Sequence, residues 1–185
     1  MAVHRCRSRL GIVSALSLLV FSVPAQASVI RLVDLSVLVR RADIIVRGTT
    51  LATVSSLTED GKQIHTVAKV RVQSALKGAP ASEIEVRTPG GTIGDITQMV
   101  HGAPRLVEGQ KVILFLHRVS ERRFTIEGFA QGKYEVVNGH VVQDLRGIGI
   151  LGPDGAIRPG TTTESVPERD FVARVRKALE GTVAP

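Results

Sequence analysis

The stretch Gln63-Ile-His-Thr-Val-Ala-Lys-Val-Arg-Val-Gln-Ser-Ala-Leu76 decides the fold. In an extended chain Ile64, Thr66, Ala68, Val70, Val72 and Leu76 share one face, while His65, Lys69, Arg71 and Gln73 share the other. Upstream, Thr58-Glu-Asp-Gly-Lys62 contains Asp60-Gly61, a strong hairpin dipeptide. Before it, residues 43–56 are rich in Ile, Val and Thr. Two long strands about an Asp-Gly turn predict a hairpin.

Working outward, Leu35, Leu38, Val39 and Ala42 recur at helical spacing, which predicts a short helix with Asp34 as its N-cap. Downstream, residues 83–88 alternate again, with Ile84 and Val86 inward. Residues 111–117 are a near-continuous apolar run bounded by turns, the signature of a strand buried on both faces. Phe124 and Ile126 mark the next strand, and Asn138-Gly139 predicts a type I′ hairpin between 131–137 and 140–145. The chain ends in a helical stripe of Phe171, Val172, Val175, Ala178 and Leu179. Ser165-Val-Pro-Glu168 fits a capping box at its start, and Gly181 is a natural stop. The expected fold is mainly β: an OB-like antiparallel barrel with a short helix before the first long strand and a C-terminal amphipathic helix.

Of 185 residues, 24 are Lys or Arg and 17 are Asp or Glu. The opening stretch holds Arg5, Arg7 and Arg9 and no acid, so the rest of the chain has 21 basic residues against 17 acidic. That stretch also has an apolar run over 10–23 and a small-x-small sequence, Ala25-Gln26-Ala27. This is the layout of a Sec-type signal peptide over 1–27, and the run is short of the ~20 residues of a membrane span. The expectation is export to the periplasm or medium, with no membrane span after signal cleavage. The parts that follow are a barrel domain (28–146), a Gly/Pro-rich loop (147–164) and the helix (165–181). The one cysteine, Cys6, lies in the leader, which takes thiol catalysis and Cys–zinc sites from the mature chain.

The segments Ala42-Asp-Ile-Ile-Val-Arg-Gly48, 66–78 with its Lys77-Gly78, 83–89, Val107-Glu-Gly-Gln-Lys-Val-Ile-Leu-Phe115 and 123–128 follow one another in a telling order. That pattern resembles the netrin-like module, which includes the N-terminal domains of tissue inhibitors of metalloproteinases. It also resembles small uncharacterised exported bacterial proteins of the same pattern. The resemblance covers 28–137 and implies an OB-like barrel. The inhibitors chelate a protease zinc through a disulfide-bonded N-terminal cysteine, which this chain lacks, so it transfers no functional residue.

Chemistry-bearing patterns are sparse. His65, His101, His117 and His140 form no His-x₃-His or His-Glu-x-x-His pair, and there is no nucleophile elbow. Pro89-Gly-Gly-Thr-Ile-Gly94 lacks the Gly-Lys-Ser/Thr ending of a P-loop. No catalytic residue, metal site or cofactor is expected. Base stacking needs aromatic platforms, and the five aromatics after the leader (Phe115, Phe124, Phe129, Tyr134 and Phe171) fall mostly in apolar faces, so no nucleic-acid partner is expected.

The preferred reading is a non-enzymatic module that recognises a protein or envelope component through loops, in its most specific form protease-associated. Its expected contact surface is the irregular stretch 89–104, with Pro89, Gly90, Gly91, Asp95 and His101 as binding residues. The alternative is an exported hydrolase using His101 with Asp95 or Glu108. A third reading is an assembly protein.

Overall fold

The computed structural model describes residues 29–163 and 165–181; the expected signal peptide lies outside them. In chain order the elements are β1 (Val29–Arg31), α1 (Leu35–Arg41), β2 (Ile44–Leu57), β3 (Ile64–Lys77), β4 (Glu83–Pro89), β5 (Gly91–Ile93) and β6 (Ile96–Gln98). There follow β7 (Lys111–Arg118), β8 (Arg123–Ile126), a 3-10 turn (Phe129–Gly132), β9 (Lys133–Val137) and β10 (His140–Val142). Last come β11 (Gly149–Leu151), β12 (Ile157–Pro159), β13 (Val166–Pro167) and α2 (Glu168–Glu180).

Five strands close into a barrel in the ring order β2–β3–β4–β8–β7 and back to β2. Four of the five pairings are antiparallel and one, β4 with β8, is parallel. This is the expected OB-like barrel. Strands β9, β10 and β13 extend the sheet beyond β7.

Two apolar clusters hold the molecule. Ile44, Val46, Val70, Ile84, Val86, Val112, Leu114, Leu116 and Phe124 fill the barrel. On its outside, Ile45, Ile113 and Phe115 pack against Leu38 and Val39 of α1 and Phe171 and Val175 of α2. The apolar run of β7 is therefore buried on both faces, as its composition predicts. Burying each such side chain contributes roughly 1.5–3 kcal/mol, against about 0–1 kcal/mol for an exposed ion pair, so stability resides in these clusters.

Local chemistry seats both helices. The Lys77 ammonium donates to the carbonyls of Val39, Arg40 and Ala42 at 2.8, 3.2 and 2.5 Å, satisfying the open C-terminal carbonyls of α1. Arg47 donates to the Glu168 carboxylate and, at 2.7 Å, to Gln73 Oε1, which fastens the first turn of α2 to the barrel.

The structure corrects several expectations. Leu76 does not share the face of Val72: Val72 packs into the barrel and Leu76 beneath the helices. The β2–β3 ladder has three register irregularities, which leave Leu76, Gln73 and Leu51 without a partner, and a one-residue slip exchanges faces. The capping box does not form: Ser165 precedes the β13 pairing, Pro167 is the N-cap, and the Glu168 carboxylate goes to Arg47. Gly181 ends α2 without a left-handed conformation, at φ −68°. Part of 147–164, read as loop, is sheet, because β11 pairs parallel with β1 and antiparallel with β12. The Asn138-Gly139 turn is as expected, with φ of 51° and 76°.

Glu168→Gln should loosen α2 while leaving the barrel intact. Hydrogen-exchange protection of the α2 amides should fall about tenfold, the size of one charge-assisted hydrogen bond, with β7 amides unchanged.

Candidate functional site

The helices cover only one side of the barrel. On the other, the outer faces of β4, β8 and the first half of β3 carry no packed element among the described residues. Their residues stand in cross-strand rows: Val67 opposite Arg87 and Arg87 opposite Thr125, then Lys69 opposite Glu85 and Glu85 opposite Arg123. The odd-numbered positions that read as a solvated face from sequence are this wall.

Two turns raise the edges of the wall into a groove of about 720 Å³. One is the β2–β3 turn, where the Thr58 hydroxyl donates to Asp60 Oδ1 (2.5 Å), and Oδ1 also accepts the Lys62 N–H (3.2 Å). These bonds, the Thr58 hydroxyl first, hold the Asp60 carboxyl below its usual range and order the turn. Leu57, 55% exposed, is presented at its base. The other is the β7–β8 turn, closed by bonds from Val119 N and Ser120 N to Arg123 O at 2.9 and 3.1 Å. Arg118 braces it by donating to Glu121 O (3.3 Å) while its guanidinium lies 5.1 Å from the Phe124 ring centroid. Val119 stands out from this turn, 63% exposed.

The groove lining is aliphatic at Leu57, Val67 and Val119 and charged at Glu59, Asp60, Glu85, Arg87 and Arg123. Wall charges are largely paired. Lys69 and Arg71 both meet Glu83, at 3.0 and 3.5 Å, and Arg123 meets Glu85 at 3.2 Å. Glu83 is held below its usual range by Lys69 first and Arg71 second. Arg87 makes no hydrogen bond or ion pair among the described residues. Beside it, His65 lies within 3.1 Å of Ser56 Oγ through Nε2, and its Nδ1 is buried without a hydrogen-bond partner. Desolvation first, and the Arg87 charge second, lower the His65 pKa below 6.5 and favour the neutral ring.

The sequence-derived candidates lie beside this groove and are mostly spent on structure. Pro89 ends β4 opposite His65. Gly90 N donates to Ile64 O at 2.8 Å, and Gly90 O accepts the Thr66 hydroxyl at 2.8 Å. A Cβ on Gly91 would collide with the Ser55 and Thr66 hydroxyls, and its φ of 145° is strained for other residues. The first half of 89–104 is thus a small hairpin, β5–β6, pinned to β2 and β3, rather than an irregular loop. Gln98 Oε1 completes the attachment by accepting Ile64 N at 2.5 Å. Asp95 is exposed at the tip of this hairpin and His101 is exposed in the turn after it. No hydrogen bond or ion pair joins His101, Asp95 and Glu108 to one another among the described residues.

The second half of that stretch, Gly102 to Pro104, lines a smaller cavity of about 270 Å³ with Lys133, Glu135, Asp144 and Arg146. Four of its charges pair, Lys133 with Glu135 and Arg146 with Asp144, both at 2.7 Å, and Arg105 also lines it. Arg146 is the main cause holding the Asp144 carboxyl down at about 2. Among the described residues no group of three or more His, Cys, Asp or Glu is placed to hold a metal ion, and no helix is long and apolar enough to cross a membrane. No protein-family model matches the chain, and no curated protein matches it.

Two outcomes follow from this geometry. Gly91→Ala should lower stability by roughly 1–3 kcal/mol in a urea titration, through positive φ and the hydroxyl clash, without touching the wall. In Arg87→Ala, the NMR titration midpoint of His65 should rise toward 6.5, because a neighbouring positive charge is gone. With the His65 pKa depressed, the unfolded chain takes up a proton first. Stability of the unmodified protein should therefore fall as pH drops through 6.5, and less so in the variant.

Proposed function

We propose that the protein is an exported, non-enzymatic binding module whose bare wall docks an extended segment of a protein partner in its envelope or surroundings. The observation that carries this reading is the make-up of the groove: three aliphatic side chains and a cation without a partner, between two hydrogen-bonded turns. Fold analogy supports it, since OB-like barrels bind ligands on this face and through these loops. The leader pattern at 1–27 supports export, and the netrin-like resemblance is in keeping with recognition of a protein.

Chemistry favours a polypeptide over a nucleic acid. Single strands are held by basic grooves with aromatic rings as stacking platforms. Here the rings are elsewhere: Phe124 is buried in the barrel, and Phe115, Tyr134 and Phe171 pack together beneath the helices. Three of the wall's cations are engaged in ion pairs with Glu83 and Glu85, Lys69 and Arg71 sharing Glu83. The stretch 89–104 has a secondary role in this reading, its β5–β6 hairpin being pinned to β3 beside the groove.

Photo-crosslinking side chains placed at Val67 and at Val119, with a control at Arg158 on β12, test the proposal in an envelope fraction. One discrete protein should be captured from the two groove positions and not from the control. Capture from Asp95 or His101 alone, or equal capture at all positions, contradicts it.

A further inference from the structure

We infer that two copies of the chain pair through the open edge of β2, antiparallel about a two-fold axis at Ser55. This inference goes beyond the docking reading and does not rest on it. Along one edge of β2, β7 pairs with residues 44–49, and Gln110 and Gly109 then bond Thr50 at 2.9 Å each. After Thr50 no described strand lies alongside β2 on that edge. On its other edge the ladder with β3 runs without a shift from Ala52 opposite Lys69 to Leu57 opposite Ile64. Thr58 N donates to Gln63 O at 2.7 Å, so Ser56 and Val54 bond to β3 in turn. The alternate residues Thr53, Ser55 and Leu57 turn their N–H and C=O groups to the open edge, where none is hydrogen-bonded among the described residues.

Open edges template further pairing unless short length, bulges, proline or charge prevents it. The other open edges among the described residues carry such guards. β1 and β12 have three residues each, with Arg31, Arg158 and Pro159, and β13 has two, ending in Pro167. β3 past Arg71 is bulged against β2 and carries Lys77. Residues 50–57, Thr-Leu-Ala-Thr-Val-Ser-Ser-Leu, have no charge, proline or glycine, and Val54 is 66% exposed. The nearest charges in the chain lie off the edge and are of both signs: Glu59, Asp60 and Lys62 in the turn, Glu108 and Lys111 at the entry to β7.

A second copy is the occupant that fits. About the axis, Thr53 meets the second copy's Leu57, Ser55 its Ser55 and Leu57 its Thr53, each pair exchanging both N–H···O bonds. The same register keeps the inner and outer faces continuous across the two sheets and sets Val54 beside the second copy's Ser56. A foreign strand is recognised through pockets for its alternate side chains, and neither cavity described above borders 51–56. Self-pairing uses up this edge in both copies at once, so the assembly closes as a dimer. The stretch 53–57 is far shorter than the ~20–30 residues a side of a standard interface, so the dimer is weak and concentration-dependent.

Sedimentation of the purified protein, across about 1 μM to about 1 mM, should show monomer and dimer in exchange and no larger species. Val54→Lys places like charges on diagonal neighbours across the axis and should weaken the dimer about tenfold. Thr53→Pro removes an N–H from the open edge and should do the same while keeping the β2–β3 ladder. Val137→Lys, at an exposed position on β9, should change nothing. Register is read with cysteines in a Cys6→Ser background. Ser55→Cys should crosslink to itself under mild oxidation, since paired residues lie about 5.5 Å apart at Cα, within disulfide reach. Leu57→Cys alone should not crosslink, but should do so when mixed with Thr53→Cys. A monomer at every concentration, or a dimer unchanged by Val54→Lys and Thr53→Pro, overturns the inference. So does crosslinking of Leu57→Cys to itself in preference to Ser55→Cys. Capture of a foreign protein from photo-crosslinkers at Thr53 and Ser55, by a chain that stays monomeric, overturns it too. Should Thr53→Pro fail to fold, Val54→Lys and the cysteine pairs still decide. Crosslinking at Val67 and Val119 tests the groove separately, so the two readings can fail independently.

Discussion

The pairing of β2 with β7 is the constraint on which the rest of the molecule depends. Where they pair, both strands are largely buried on two faces at once. Ile44, Val46, Val112, Leu114 and Leu116 turn into the barrel, and Ile45, Ile113 and Phe115 turn outward. Water must be kept from that outward face, and α1 and α2 cover it. Arg47, from the same strand, holds the Glu168 carboxylate and so fixes where α2 lies. A barrel with helices committed to one side leaves the other side uncovered. The bare wall is a consequence of where the apolar surface had to go.

Much of this architecture is legible in the residues, for identifiable reasons. Asp60-Gly61 and Asn138-Gly139 announce hairpins because few other dipeptides accept the backbone such turns require. The run at 112–116 announces burial on both faces because nothing polar interrupts it. Other features have no such signal. Leu76 changes face through bulges that add residues to a ladder without changing the alternation seen in the chain. The strands β5, β6, β11 and β12 are short and flanked by glycines, so they read as loops. The capping pattern at Ser165 is genuine chemistry that loses to a tertiary partner, Arg47.

The candidate site was legible only at its margin. Glycines drew attention to 89–104, but at Gly90 and Gly91 they serve close backbone approach, and the groove lies next to them. Its wall reads in sequence as an ordinary solvated face of alternating charges. Its two rims are the turns at 58–63 and 119–122, far apart in the chain and brought together by the ring order of the barrel. No local pattern carries that information. The pairing of charges is equally invisible from sequence: that Glu83 and Glu85 engage three cations and leave Arg87 open follows from register.

Stability and recognition are therefore assigned to different sides of one barrel, the apolar clusters to the helix-covered side and the exposed, ion-paired wall to the other. Amide hydrogen exchange of the protein, alone and with the partner captured by crosslinking, measures this division most directly. The account predicts new protection across β3, β4 and β8 and in the turns at 58–63 and 119–122, with no change under α1 and α2. Protection confined to the β5–β6 hairpin or to the cavity beside Lys133 and Asp144 would contradict it.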